Sequence, residues 1–442
     1  MRDCMDSSTW NGNGSVVVPG IGAPSTVACV RSLGRRGVRT IVVSSDDTTP
    51  AFRSAYCDEA VRVPSPHDDL VAYKDALRSL AMRPDVRAVI PVREPDVYVL
   101  SKYSDEFADH VRPLWPPFET LAEAQDRKRL FEAAGRAGVA TPETDLFTTQ
   151  PDRDREWIVK PRYTILGDEY VAEYGPETCV APPSTRYLES GRVVDTGEIY
   201  AEMKHVPLIQ ECIPTTDEYG FFALYDQGEP VATFQHRQRR GWSYAGGPSA
   251  YRESIDVPAL EDAGLALLDE LEWHGLAMVE FLRDPRTGGF TLMEINPRFW
   301  SSLPFSVRVG ADFPYYYWSL ATDTPIDPGE TYDVDVGGHL LRGEASYLHS
   351  ILAAEYPMVD RPHFGRALQT VATSLVRQPR FDYAVAGDPL PFLRDGLNVA
   401  RDWWARDDHP QPPAESRSQG STTPVADDED AVGVGSSVGT DR

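Results

Sequence analysis

The 442-residue sequence is short of lysine. Only Lys74, Lys102, Lys128, Lys160 and Lys204 stand among 43 cationic residues, and the rest are arginine. Cysteine is scarce as well: Cys4, Cys29, Cys57, Cys179 and Cys212 are scattered with no C-x-x-C pair. That spacing supports neither a disulfide framework nor a zinc site. The nine histidines form no H-E-x-x-H or similar cluster. No apolar run approaches the roughly 18 to 20 residues that span a bilayer. The N-terminal MRDCMDSSTWNGNG lacks the apolar stretch of a signal peptide. These absences predict a cytoplasmic protein with no membrane partner. Positive charge is outweighed by 68 acidic residues, and the net charge is −25. So acidic a surface repels phosphate backbones and excludes non-specific nucleic-acid binding.

Many carboxylates with few lysines give a composition that resembles haloarchaeal proteins, whose self-repulsion is screened by salt. An acidic protein from a GC-rich genome is the alternative. The length predicts two or three packed domains. Residues 1–14 and 407–442 are low in apolar content and rich in Gly, Ser, Pro and Asp, which predicts disorder.

SVVVPG, a helical pattern (STVACVRSLGRRG) and RTIVVSS form a β-α-β unit, which implies parallel strands. A helix over about 67–82 and the strand RAVIPV continue the alternation, so a Rossmann-like open sheet is expected over 15–118. PGIGAPS carries Ser25 where a dinucleotide fingerprint wants glycine, so a plain strand–turn–helix is the better reading. The segment TLAEAQDRKRLFEAAGRAGVATPET reads as one helix. Thr120 and Glu123 have capping-box spacing, Gly138 suits the stop, and Lys128 lies on the helix. Short strands then dominate: EWIVKP, PLIQECI, YGFFALYD and PVATFQHRQ, the last two joined by the hairpin turn DQGE. After a helix at about 258–273 come LAMVEFLRD and GFTLMEINP, a second hairpin.

This second hairpin carries chemistry. Residues two apart on a strand share a face, so Phe290, Leu292, Glu294 and Asn296 are expected to point one way. Glu280 on the partner strand can converge with them. Two enclosed acids repel unless a cation lies between them, and oxygen ligands suit Mg²⁺ or Mn²⁺, one or two ions. Ordinary strand residues paired with arginines are the alternative. In QHRQRRGWSYAGGPSAYRES, Arg239 and Arg240 have the forks to bind a substrate carboxylate or acyl phosphate. The alternative is a basic loop that balances an acidic surface. PYYYWSL reads as core packing, and His205 and His236 as local hydrogen-bonding groups.

Taken in order, Lys128 before GVATP, IVKP with Lys160, LIQECI with Glu211, EYGF with Glu218, MVEF with Glu280 and MEINPRF resemble the ATP-grasp enzymes over about 15–325. The resemblance implies a Rossmann-like pre-ATP-grasp domain (15–118) and a two-subdomain ATP-grasp domain (119–325), a mix of α/β and α+β. The subdomains would be a linker helix with the lid and hinge (119–215) and a metal-binding part (216–325). A helical extension (326–406) would follow.

The resemblance also implies ATP phosphate contacts from Lys128 and Lys160. Gln210, Glu211, Cys212 and Ile213 would form the hinge strand at the adenine edge, and Glu218 would hold the ribose. Glu280, Glu294 and Asn296 would be Mg²⁺ ligands, and Arg298 would lie beside the transferred phosphate. The implied activity is an ADP-forming carboxylate–amine ligase acting on two small molecules. A bicarbonate-phosphorylating enzyme and a non-catalytic ATP-binding regulator are the alternatives, and a homodimer is left open. One departure stands out: KPRYTILGDEYVAEYGPETC lacks the Gly/Ser-rich loop that many family members close over the phosphates. Part of that role is expected of GWSYAGGPS (241–249).

Overall fold

The computed structural model describes residues 14–405 except 150, 153, 192–194, 216, 327–331 and 357–358, with backbone only for 402–405. The expected disordered stretches, 1–14 and 407–442, lie outside the described residues apart from Gly14.

The chain opens with β1 (Ser15–Pro19), α1 (Pro24–Gly34), β2 (Arg39–Ser44), β3 (Glu59–Arg62), α2 (Leu70–Ala81), β4 (Val86–Val89), α3 (Glu94–Lys102) and α4 (Ser104–Ala108). The strands form a parallel sheet in the order β3-β2-β1-β4. Its central strands carry unbroken apolar runs, Val16–Val18 and Ile41–Val43, because helices cover both faces. Val16 and Val18 enter one core and Val17 the other.

Next come α5 (Phe118–Gln125), α6 (Arg127–Arg136), β5 (Thr144–Leu146), β6 (Trp157–Lys160), β7 (Arg186–Leu188), α7 (Thr196–Met203) and β8 (Leu208–Glu211). The single helix expected here is two. Asp126 leaves the helical conformation (φ −88, ψ 96), and its side chain accepts from the Lys128 backbone N–H as the N-cap of α6. Thr120 lies inside α5, so its expected capping role is not used. Gly138 does end α6 with a left-handed φ of +72. The four strands form a small antiparallel sheet, β5-β8-β6-β7.

Five strands, β9 (Glu218–Asp226), β10 (Glu229–Ser243), β11 (Gly246–Ser254), β12 (Gly275–Arg283) and β13 (Phe290–Asn296), with α8 (Pro258–Glu270) between β11 and β12, build most of a large antiparallel sheet in the order β13-β12-β9-β10-β11, and residues 337–339 pair on beyond β11. The β9–β10 hairpin turns at Gln227 and Gly228, both with positive φ, as the DQGE motif requires. Then follow α9 (Leu303–Arg308), α10 (Phe313–Ala321), β14 (Gly337–His339), α11 (Leu341–Ala353), α12 (Phe364–Arg377) and α13 (Leu390–Ala405).

One face of the large sheet is sealed by α6 and α8. Part of the other packs on α1, α9 and α10, where Tyr316, Tyr317 and Trp318 of the PYYYWSL motif are buried. No described helix is long and apolar enough to cross a membrane.

Candidate functional site

The site begins with a flaw in the β12–β13 ladder. Phe281 pairs with Leu292 and Glu280 with Glu294, so Met293 has no partner. This bulge reverses the alternation of the strand. Leu292 therefore joins the core under α6 and α8, while Glu294 and Asn296 turn to the other face. The single face expected for Phe290, Leu292, Glu294 and Asn296 is thus split in two. The convergence of the acids holds: Glu280 and Glu294 are directly opposed. Asn296 donates from Nδ2 to Glu280 Oε1 at 3.0 Å, and its Oδ1 accepts from Arg298 Nη2 at 2.7 Å.

Three cations surround the pair. Arg127 Nη2 lies 2.8 Å from Glu294 Oε2, both side chains buried. Lys160, the last residue of β6, faces the pair from the small sheet. Enclosure and then Arg127 push its pKa down to about 8, against the pull of Glu294 and Glu280. Arg298 Nε is 3.0 Å from Glu94 Oε1, an ion pair that reaches back to the first turn of α3. Burial pushes the Glu94 carboxyl up, partly offset by Arg298, and neither of its oxygens has an aligned hydrogen bond among the described residues.

The two opposed glutamates behave differently. Burial and then Glu294 push Glu280 up. Burial acts on Glu294 too, but Arg127 and Lys160 overcome it and hold the carboxyl below its usual range. Glu218, at the start of β9, is pushed up to about 8 by burial and then by Glu280 and Glu294. Gln238 Nε2 donates to Glu218 Oε2.

The donor set fits a divalent cation that brings other oxygens with it. Glu280, Glu294 and Asn296 supply hard oxygen donors, and Arg298, Lys160 and Arg127 only partly offset the burial and the Glu294 charge that push Glu280 up. No group of three or more His, Cys, Asp or Glu among the described residues could hold a metal alone. Phosphate oxygens would complete such a shell.

On the hinge strand, Gln210 is buried and donates to Thr144 Oγ1 at 3.0 Å. Glu211 accepts from the Glu143 N–H and from Arg286 Nη1, each at 3.0 Å. Cys212 and Ile213 continue past the last paired residue of β8. Their backbone is what this stretch can offer a ligand.

Several residues do not join the cluster. Lys128 pairs with the exposed Glu132 at 3.0 Å. Arg240 makes a two-pronged contact with Glu344 at 2.9 and 2.8 Å, and Arg239 lies 3.2 Å from Glu253. His205 Nε2 accepts from the Arg162 N–H at 2.9 Å as expected. His236 differs: it is buried against Phe222, and its Nδ1 has no hydrogen-bond partner among the described residues.

The segment after Lys160 is tied down rather than open. Ile165 and Cys179 sit in the core of the parallel sheet. Lys102 Nζ reaches Asp168 Oδ1 at 2.5 Å, Tyr163 stacks on Tyr170 at 4.5 Å, and Arg162 grips Asp126 at 2.8 and 2.6 Å. The β10–β11 tip approaches the cluster instead. At Gly246 (φ +115) a Cβ would lie 2.9 Å from Glu218 Oε1.

Sequence reasoning missed Arg127 and Glu94. Arg127 adjoins Lys128 and was hidden by reading one continuous helix. Glu94 follows the C-terminal end of β4, and strand ends of that kind are where ligands gather in open α/β sheets.

No family model matches the sequence. Solved structures do share its architecture. One is N5-carboxyaminoimidazole synthetase from Staphylococcus aureus, 13% identical over 74% of this chain and 82% of that one, TM-score 0.52. Another is L-amino acid ligase from Bacillus licheniformis, 15% identical over 74% and 80%, TM-score 0.52. A third is the biotin carboxylase domain of 2-oxoglutarate carboxylase from Hydrogenobacter thermophilus, complexed with MgADP and bicarbonate. It is 14% identical over 73% of each chain, TM-score 0.54. At these identities the likeness bears on architecture, and the chain has the ATP-grasp fold.

Proposed function

We propose that the protein is an ATP- and Mg²⁺-dependent ligase that joins a carboxylate to an amine. The observation that carries this reading is the opposed pair Glu280–Glu294 ringed by Arg127, Lys160 and Arg298. Such a ring suits phosphoryl transfer, which needs positioning and charge neutralisation rather than a protein nucleophile. The ATP-grasp fold and its similarity to two synthetase and ligase structures support it.

In this reading, Cys212 and Ile213 present backbone groups to the adenine edge, and Glu218 takes the ribose hydroxyls. Lys160 neutralises phosphate oxygens. Arg127 holds Glu294 ionised, and Glu94 holds Arg298 beside the transferred group. Bound Mg²⁺, held by Glu280, Glu294 and Asn296 and by ATP itself, supplies charge neutralisation at the phosphates. A substrate carboxylate oxygen attacks the γ-phosphorus, the bond to the β-bridging oxygen breaks, and ADP leaves. The amine then attacks the acyl carbon, the C–O bond to phosphate breaks, and the amine loses a proton. The products are an amide, ADP and phosphate. The domain limits 15–118, 119–325 and 326–406 fit this division of labour.

A second reading, phosphorylation of bicarbonate, is favoured by the similarity to the bicarbonate-bound carboxylase domain. Phosphate release from ATP, followed over a panel of carboxylates and amines in low and molar KCl, tests both. The ligase expects release that needs one member of each class. Release with bicarbonate alone moves the assignment to the second reading. ATP binding with no ADP formed under any pairing contradicts the ligase.

A further inference from the structure

A cleft of about 840 Å³ lies between the β10–β11 ribbon and α12, with Thr215 and Asp217 also in its lining. Its volume is that of a small-molecule site. Its lining is unlike the rest of the surface. In a chain of net charge −25, four arginines line it, Arg237, Arg239, Arg240 and Arg377, against the two acids Asp217 and Glu253.

The floor is preordered. Glu344 fixes the Arg240 guanidinium, which lies 4.6 Å from the centre of the Tyr251 ring, and Tyr251 stacks on His339 at 4.3 Å. Arg237 pairs with Asp217 at 2.6 Å and Arg239 with Glu253 at 3.2 Å. Across the gap, Arg377 has no ion-pair partner among the described residues.

The opposite wall is equally polar. Gln369, Thr370, Thr373, Ser374 and Arg377 line the cleft from α12. Their spacing puts them on one face of the helix. On the same helix Leu368 and Val376 stay exposed, at 46% and 81%. A helix that turns amides and hydroxyls towards arginines, and leaves leucine and valine outside, is arranged for a polar occupant.

We propose that this cleft is a second ligand site, for a small molecule carrying two or more negative charges as phosphate or carboxylate groups. Arginine forks match the planar geometry of both, and the hydroxyls and amides of α12 supply the remaining hydrogen bonds. The site is separate from the carboxylate cluster but not isolated from it. Asp217, held by Arg237, is the residue before Glu218, whose carboxyl it also pushes up. An anion that draws on Arg237 therefore bears on the nucleotide cleft.

Calorimetric titration of the full chain with inorganic pyrophosphate and, separately, citrate tests the proposal. Magnesium is left out, and the titrations are repeated in rising KCl. We expect saturable binding of at least one of the two, weakening with salt. Pyrophosphate without citrate identifies a phosphate site; citrate without pyrophosphate identifies a carboxylate site. Arg377→Ala and Thr373→Glu should each weaken the binding about tenfold or more, with circular dichroism and Mg·ATP binding as in the parent. Lys160→Ala should leave it unchanged. Three results would overturn the proposal: no saturable binding of either anion, equal affinity in both α12 variants, or a loss in Lys160→Ala instead. The test makes no use of turnover, so its failure would leave the ligase reading standing.

Discussion

Charge gathers in two places in this protein, and the two are opposites. Around Glu280 and Glu294, four carboxylates (with Glu94 and Glu218) meet three cations in a confined space. Three of the carboxyls, Glu94, Glu218 and Glu280, are pushed up by burial and by neighbouring acids beyond what the cations offset. Beside α12 the balance is reversed: four arginines line an open cleft against Asp217 and Glu253, and with Arg240 held by Glu344 only Arg377 among them lacks an ion-pair partner among the described residues. The first region is short of a cation and the second of an anion. Enclosure makes the first imbalance the costlier, since a charge in a low-dielectric site must be matched or neutralised. That is why the buried cluster is read as the centre of the chemistry and the open cleft as a place where a ligand docks.

The buried cluster is most vulnerable at Arg127. Arg127→Ala leaves Glu294 enclosed with one fewer cation, and breaking a buried pair costs about 3–5 kcal/mol. Urea unfolding should show a loss of that size; a loss below about 1 kcal/mol would make the pair no different from a surface one. Glu294→Ala should slow Mg²⁺-dependent turnover by roughly a hundred- to a thousandfold, read by ADP release, with the fold kept by circular dichroism. Glu94→Gln keeps the shape but weakens the hold on Arg298, and roughly a ten- to hundredfold fall in kcat is expected.

A smaller effect concerns the wall of the cluster. Burial, then Arg162 and Arg127, push His205 down to about 4 against the opposing pull of the Met203 backbone and of Asp126. Its unprotonated Nε2 accepts from the Arg162 N–H. Because the folded value lies below the ordinary 6.5, unfolded chains bind the proton more readily between the two. Stability from this contact is therefore present above about pH 6.5 and is lost as pH falls towards 4. Thermal unfolding at pH 7 and pH 5 should show the drop, and His205→Gln should reduce it. The smallest effect is expected at Lys128. Its exposed pair with Glu132 is worth about 0.3–0.5 kcal/mol, so Lys128→Ala should barely change unfolding or turnover.

That contrast between neighbours marks where the sequence is legible and where it is not. Glu294 and Asn296, with Glu280 opposite, announce the site because period 2 holds on their side of the bulge, away from the turn. The bulge at Met293 leaves no trace in the residue pattern, since Phe290 and Leu292 fit either face equally well. Asp126 is readable as an N-cap but sits inside an apolar stripe that runs through it. Glu94 and Arg298 lie far apart in the chain, and only the folded sheets bring them together. The segment after Lys160 is opaque for the same reason: Ile165 and Cys179 find their partners in the core of another sheet. The three sheets themselves follow from apolar runs, turn residues and alternation, which are local signals.

The account rests on the buried acids holding a divalent ion together with ATP. Electron paramagnetic resonance of Mn²⁺, titrated with and without ATP, tests this directly. The account expects protein-bound Mn²⁺ that requires ATP, is at least about tenfold weaker in Glu294→Ala, and is unchanged in Arg377→Ala. Equal Mn²⁺–ATP binding by the parent protein and Glu294→Ala would contradict it.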